Sequence, residues 1–207
     1  MSTFTLVRGA AKVAALSVAA AVASVTPASL IVVSDQSLFT ALVGSQGGDE
    51  VAVSFADYHG YYASGLAGGS GDAAWVANAA GGLYASGGMF STNISGAALS
   101  MSFADSDVFA IGGEFFNTDM DFNVISGFMK VEVDGLAYVF NTHGLSNNFV
   151  GFVSTTGEIH NITISIFGSA TSSFVTTGSM AVGVVPAPGV IALAALGGIV
   201  TGRRRRT

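Results

Sequence analysis

The chain has 207 residues, 50% of them hydrophobic and none of them cysteine. Seven basic residues stand against 13 acidic ones, but Arg8, Lys12 and Arg203 to Arg206 lie near the two ends, so residues 30 to 185 carry Lys130 alone against all 13 acids, a net charge of −12. That balance excludes a nucleic-acid binder, which needs a basic footprint, and the missing cysteines exclude disulfides, thiolate metal sites and a cysteine nucleophile.

Residues 1 to 28 follow the order of a secretory signal peptide. Arg8 and Lys12 form the charged part, Val13 to Val25 the apolar part, and small residues suited to cleavage stand at Ala21 to Ala23 and around Ala28. Between Ser34 and Val43, Leu38, Phe39 and Leu42 recur at helical spacing, with Ser34 or Asp35 available as the cap. Gly60 to Gly88 is rich in glycine, alanine and serine, and its aromatic side chains are Tyr61, Tyr62, Trp75 and Tyr84. Such a stretch predicts either irregular chain or short strands joined by loops.

Strand alternation is clearest after that. Large apolar residues take every second position in Leu99 to Phe103; Met129, Val131 and Val133 alternate with charged residues; Ile162, Ile164 and Ile166 alternate with Thr163 and Ser165. Asp134-Gly135 between two such runs suits a type I′ hairpin. Val108 to Phe116, Leu136 to Phe140, Phe149 to Val153 and Met180 to Val184 read as further strands. Residues 30 to 185 are therefore expected to form an all-β, jelly-roll-like β-sandwich, flanked by an N-terminal signal helix and a C-terminal transmembrane helix.

The end of the chain, residues 186 to 207 with the two valines before them, reads Val-Val-Pro-Ala-Pro-Gly, then an apolar run from Val190 to Val200, then the cluster Arg203, Arg204, Arg205 and Arg206. Pro186 and Pro188 fit the entry to a helix but not its interior. The segment from Pro188 to Gly202 would span about 22 Å as a helix, short of a hydrocarbon core by an amount that snorkelling arginines and local thinning accommodate. The four arginines belong on the cytoplasmic side by the positive-inside rule. These residues together resemble the PEP-CTERM sorting signal of Gram-negative bacteria, with Ala187 standing where that family has Glu. The resemblance implies export, inner-membrane anchoring by the C-terminal helix, processing by an exosortase, and delivery to the cell surface or an extracellular polysaccharide matrix. Residues 105 to 168 also resemble domains found ahead of such tails. That likeness rests on Phe109 to Asp119, Phe128 to Asp134 and Asn148 to Phe152; it implies a sandwich and brings no activity.

Several side-chain groups invite a chemical reading. Asp119, Asp121 and Asn123 alternate with apolar residues; on a strand they would share one face and, with Asp105 and Asp107 nearby in sequence, offer hard oxygen ligands to Ca²⁺. The plainer reading is a solvated acidic strand edge. Trp75 with Tyr61 and Tyr62 would make a sugar-stacking platform or, more simply, core packing. His59, His143 and His160 lack the spacing of a zinc helix, and no Gly-x-Ser-x-Gly elbow occurs. Glu114 and Asp119 form the kind of carboxylate pair that any acidic sandwich offers. No catalytic residue is assigned. The expected function is that of a non-enzymatic surface or matrix protein with a structural or adhesive role; the alternative is a carbohydrate-binding module, with or without Ca²⁺.

Overall fold

The computed structural model describes residues 29–103, 107–142, 144, 148–168 and 172–185. The expected signal helix lies outside the described residues, as do Asp105 and His143. So does the whole expected sorting tail, residues 186 to 207, with Pro186, Ala187, Pro188 and the cluster Arg203, Arg204, Arg205 and Arg206. Among the described residues no helix is long and apolar enough to cross a membrane.

In chain order the elements are β1 (Leu30–Val33), α1 (Gln36–Ser45), β2 (Asp49–Val53), β3 (Gly60–Tyr62), β4 (Leu66–Gly68), a 3-10 turn (Gly71–Ala73) and β5 (Trp75–Ala79). There follow β6 (Leu83–Ser86), β7 (Met89–Thr92), β8 (Leu99–Phe103), β9 (Val108–Thr118) and β10 (Gly127–Val133). The last four are β11 (Leu136–Thr142), β12 (Phe149–Ser154), β13 (Asn161–Ile166) and β14 (Phe174–Val184). They form two antiparallel sheets, a β-sandwich. One runs β1-β12-β9-β14-β7-β6-β3, with β2 pairing the far half of β14; the other runs β11-β10-β13-β8-β5-β4.

Period-two alternation determines which side chains fill the space between the sheets. Met129, Val131, Val133, Ile162 and Ile164 are fully buried there, as their alternation predicts, opposite Ile111, Phe115, Phe152 and Val182 of the larger sheet. The Asp134-Gly135 link has φ of 44° and 90°, the two left-handed residues that a type I′ turn demands, and it fixes the register Val133 to Leu136. Asp134 also accepts from the N–H groups of His160 and Asn161, tying the hairpin to β13.

A second, smaller core lies outside the larger sheet. Asp35 caps α1 by accepting from Leu38 N at 2.8 Å. The helix buries Phe39 and Val43 against Ala110, Val153 and Ala181, while Leu38, expected on the apolar face, is half exposed. The fit depends on two glycines. A Cβ on Gly112 would meet the Phe149 ring at 2.6 Å, and one on Gly151 the Phe39 ring at 2.6 Å. Bare backbone there lets the helix approach the sheet.

Both ends of the sandwich emerge at one pole. Thr155 N donates to Ser29 O, and Val185 N donates to Asp107 O, each at 3.0 Å. From that pole β9 and β14 run side by side to the other, where Phe174 pairs with Thr118. Eleven-residue strands at the usual rise make the separation about 33 Å.

Candidate functional site

At the pole away from Val185, the outer face of the larger sheet is open. Alternation in β6 puts Leu83 and Ala85 inward and Tyr84 and Ser86 outward. Tyr84 pairs across the strands with Tyr61 on one side and Ser91 on the other, and Ser91 pairs in turn with Thr176. Thr118, Thr176 and Ser91 link their hydroxyls in a buried chain of 2.7 and 2.9 Å, so the sheet face is polar yet internally satisfied. Beside it β9 ends and the chain turns back. The result is an open groove of about 430 Å³ walled by Tyr84, Ser91, Asn93, Asp119, Asp121 and Phe122.

The wall from Asp119 to Asn123 differs from expectation. Asp119, Asp121 and Asn123 do not alternate along a strand, because β9 stops at Thr118 and the three residues form a tight turn. Asp119 is its hub. One carboxylate oxygen accepts from the backbone N–H groups of Asp121 and Asn123, each at 2.9 Å, and the other from Asn123 Nδ2 at 3.0 Å. A carboxylate that can bond its own downstream N–H groups competes successfully with the strand ladder, which is why the alternation breaks here. The Asn123 side-chain amide first, and then its backbone N–H, hold the Asp119 carboxyl below its ordinary 3.8, with desolvation opposing and Asp121 N–H adding less.

Each carboxylate oxygen of Asp119 therefore has a hydrogen-bond partner within the turn. Asp107 is no neighbour of it, since the whole of β9 lies between them. Among the described residues no three His, Asp or Glu side chains converge to hold a metal. Glu114 lies five residues back along β9, about 16 Å at the strand rise, outside the roughly 5–9.5 Å of a glycosidase carboxylate pair. It accepts instead from Ser179 Oγ at 3.2 Å.

Of the two readings of Trp75, Tyr61 and Tyr62, core packing holds for Trp75 and Tyr62, and the sandwich separates them from Tyr61. Trp75 is 2% exposed, stacked on Phe90 at 6.3 Å and edge-on to Phe55 at 5.5 Å, because residue 75 starts the inward phase of β5. It cannot offer a face to a ligand. Tyr62 also points inward, its hydroxyl accepting from His59 N. Tyr61 points outward, 55% exposed, with its hydroxyl donating to Gly81 O at 3.1 Å and its ring lying over Gly82. It stands directly opposite Tyr84. The sequence reading missed Tyr84 as the partner of Tyr61, and Phe122 as the partner of Tyr84. The available signal was the Leu-Tyr-Ala-Ser alternation after Gly81-Gly82, which marks Tyr84 as outward.

Phe122 completes the row. Its ring centroid is 6.2 Å from that of Tyr84, and its backbone has φ of 63°, a conformation that bulky residues rarely adopt.

No family model matches the chain, and no curated protein matches it. Among solved structures, the chain is similar to a family two carbohydrate esterase from Cellvibrio japonicus, at 12% identity and a TM-score of 0.36 over 66% of this chain and 34% of that one. It is also similar to the carbohydrate-binding module CBM36 in complex with calcium and xylotriose, at 11% identity and a TM-score of 0.32 over 63% of this chain and 97% of the module. The chain thus spans about a third of the esterase's length.

Proposed function

We propose that this is an exported, non-enzymatic protein of the cell surface or extracellular matrix, sorted by a PEP-CTERM-type tail and adhesive through its sandwich. The observation that carries the reading is polar separation. The two end segments join the sandwich at the pole of Ser29 and Val185, and the open aromatic groove lies about 33 Å away at the other. A chain held by its end presents that groove outward. The strands begin at Leu30 and end at Val184, where the signal-like and tail-like segments hand over. In the same reading residues 1 to 28 form the signal helix, Pro188 to Gly202 form the membrane helix, and an exosortase acts at Pro186-Ala187-Pro188. Arg203, Arg204, Arg205 and Arg206 then set the orientation of that helix from the cytoplasmic side.

A jelly-roll description of the sandwich draws support from strand order. The rows β7-β14-β9-β12 and β8-β13-β10-β11 have the crossing pattern of two facing four-stranded jelly-roll sheets, with β1 to β6 added at the margins.

The test is to fractionate the native host and determine both termini of the protein by mass spectrometry. The expected form starts after Ala23 or Ala28, lacks Arg203 to Arg206 and is found outside the cytoplasm. A protein that keeps Met1 and the arginines inside the cell would overturn the reading.

A further inference from the structure

We infer that the groove at the pole away from Val185 is a glycan-binding site for a neutral or amino-sugar polysaccharide, contacted by Tyr84 and Phe122 in the groove and by Tyr61 beside it on the neighbouring strand. This deepens the adhesive reading above and rests on it for where the polymer is met.

Three independent features point to sugar. The first is the aromatic row. Tyr61 and Tyr84 are directly opposed on β3 and β6, both about half exposed, and Phe122 continues the line 6.2 Å from Tyr84. Tyr61 and Tyr84 stand on neighbouring strands of one sheet face, and Phe122 leans over Tyr84 from the adjoining turn, its ring tilted 47° to that of Tyr84. The C–H face of a pyranose ring packs on such surfaces while its hydroxyls stay wet. A cluster meant only for the core would be covered, as Trp75 is.

The second is the polar rim. Ser86 and Asn93 lie beside the row, and Asp119 and Asp121 face them across the groove. Short hydroxyl, amide and carboxylate groups around an aromatic floor match a ligand rich in both donors and acceptors. The groove's volume of about 430 Å³ suits a short run of sugar units rather than a folded partner.

The third is charge. Among the described residues no lysine or arginine lines the groove, and Lys130, paired with Glu132 at 3.1 Å, belongs to the other sheet. Asp119 stays ionised to lower pH than an ordinary carboxyl. A uronic-acid, sulfated or phosphorylated polymer would meet two like charges with no compensating cation, whereas a neutral or protonated amino sugar would not.

Phe122 sharpens the assignment. A phenyl ring held at a positive φ costs local backbone strain, and strain that persists marks a place where the surroundings over-determine a conformation. Its ring contributes to neither sandwich core.

The experiment uses the protein in the form in which the native host accumulates it, applied to a glycan array of neutral, amino-sugar and uronic-acid oligosaccharides. Binding is expected in the neutral or amino-sugar set and absent from the uronic set. Tyr84→Ala and Phe122→Gly should each weaken the best ligand by about tenfold or more, Tyr61→Ala somewhat less. Glycine is at ease at φ of 63°, so the Phe122 variant removes the ring without unfolding the turn, and thermal midpoints checked beside wild type verify this. A blank array, binding confined to uronic acids, or folded Tyr84 and Phe122 variants that bind like wild type would each overturn the inference. Those failures leave the exported-protein reading standing if fractionation still finds the protein outside the cell; retention inside the cell would remove that reading whatever the array shows.

Discussion

Along β9 and β14 the outer face of the larger sheet changes character halfway. Near Val185 it is paved with Ala110, Gly112, Gly151, Ala181 and Gly183, and α1 lies on it with Phe39 and Val43 buried. Near Phe174 the same face carries Tyr84, Ser91, Thr118 and Thr176, and no helix covers it among the described residues. Side-chain size on one face of a continuous sheet thus separates a half covered by α1 from a half bordered by the groove. Removing Cβ atoms lets a helix close on the backbone.

The comparison can be broken most severely on the covered half. Phe39→Ala should destabilise the sandwich by about 4 kcal/mol in denaturant titration, because a fully buried aromatic leaves a cavity between α1 and the sheet. A loss below about 1 kcal/mol would mean the helix is not held by that contact. Gly151→Ala should cost about 2 kcal/mol by overpacking, since the new methyl must displace the Phe39 ring. Equal stability would show that the glycine floor is incidental.

Substitutions on the open half should spare stability. Phe122→Gly is expected to change it by less than about 1 kcal/mol, as the lost ring contacts are offset by relief of the positive φ. A large loss would place Phe122 with the structural residues instead of the binding row. Smallest of all is a titration effect at Asp119. Its folded pKa is depressed, so the stabilisation from its hydrogen bonds is fully present above the ordinary 3.8 and is lost only as pH falls through the lower folded value. Asn123→Ala removes the first cause of the depression, and the Asp119 midpoint followed by carboxyl-carbon NMR should rise toward 3.8. An unmoved midpoint would contradict the turn geometry.

Much of the built part was legible in the chain. The alternation in β8, β10 and β13, the Asp134-Gly135 turn and the Asp35 cap are local patterns whose physics extends over a few residues, and each appears as expected. The groove was not legible, because Tyr84, Ser91, Asp119 and Phe122 meet only through pairings between strands distant in sequence. Trp75 takes the core-packing reading, but the sequence left its face open for a related reason. Period-two alternation gives two faces without saying which is inward, and Ala77 and Ala79 gave little hydrophobic weight to settle the phase. The strand face expected for Asp119, Asp121 and Asn123 failed because alternation of Asp119 and Asp121 with apolar residues is also what an Asx-type turn leaves in a sequence. The strands β1 and β2 escaped notice, being short and, in β2, opening with Asp49 and Glu50.

The central claim, that one half of this face is scaffold and the other half is the binding surface, is most directly tested by mapping ligand contact residue by residue. Backbone amide NMR shifts would be recorded on isotope-labelled protein with and without the best neutral or amino-sugar oligosaccharide from the array. The account predicts perturbations centred on Tyr61, Tyr84, Asn93 and the turn from Asp119 to Asn123, with α1 and the outer face of the smaller sheet unmoved. Shifts centred on α1, or on the smaller sheet around Phe128 and Val139, would contradict it.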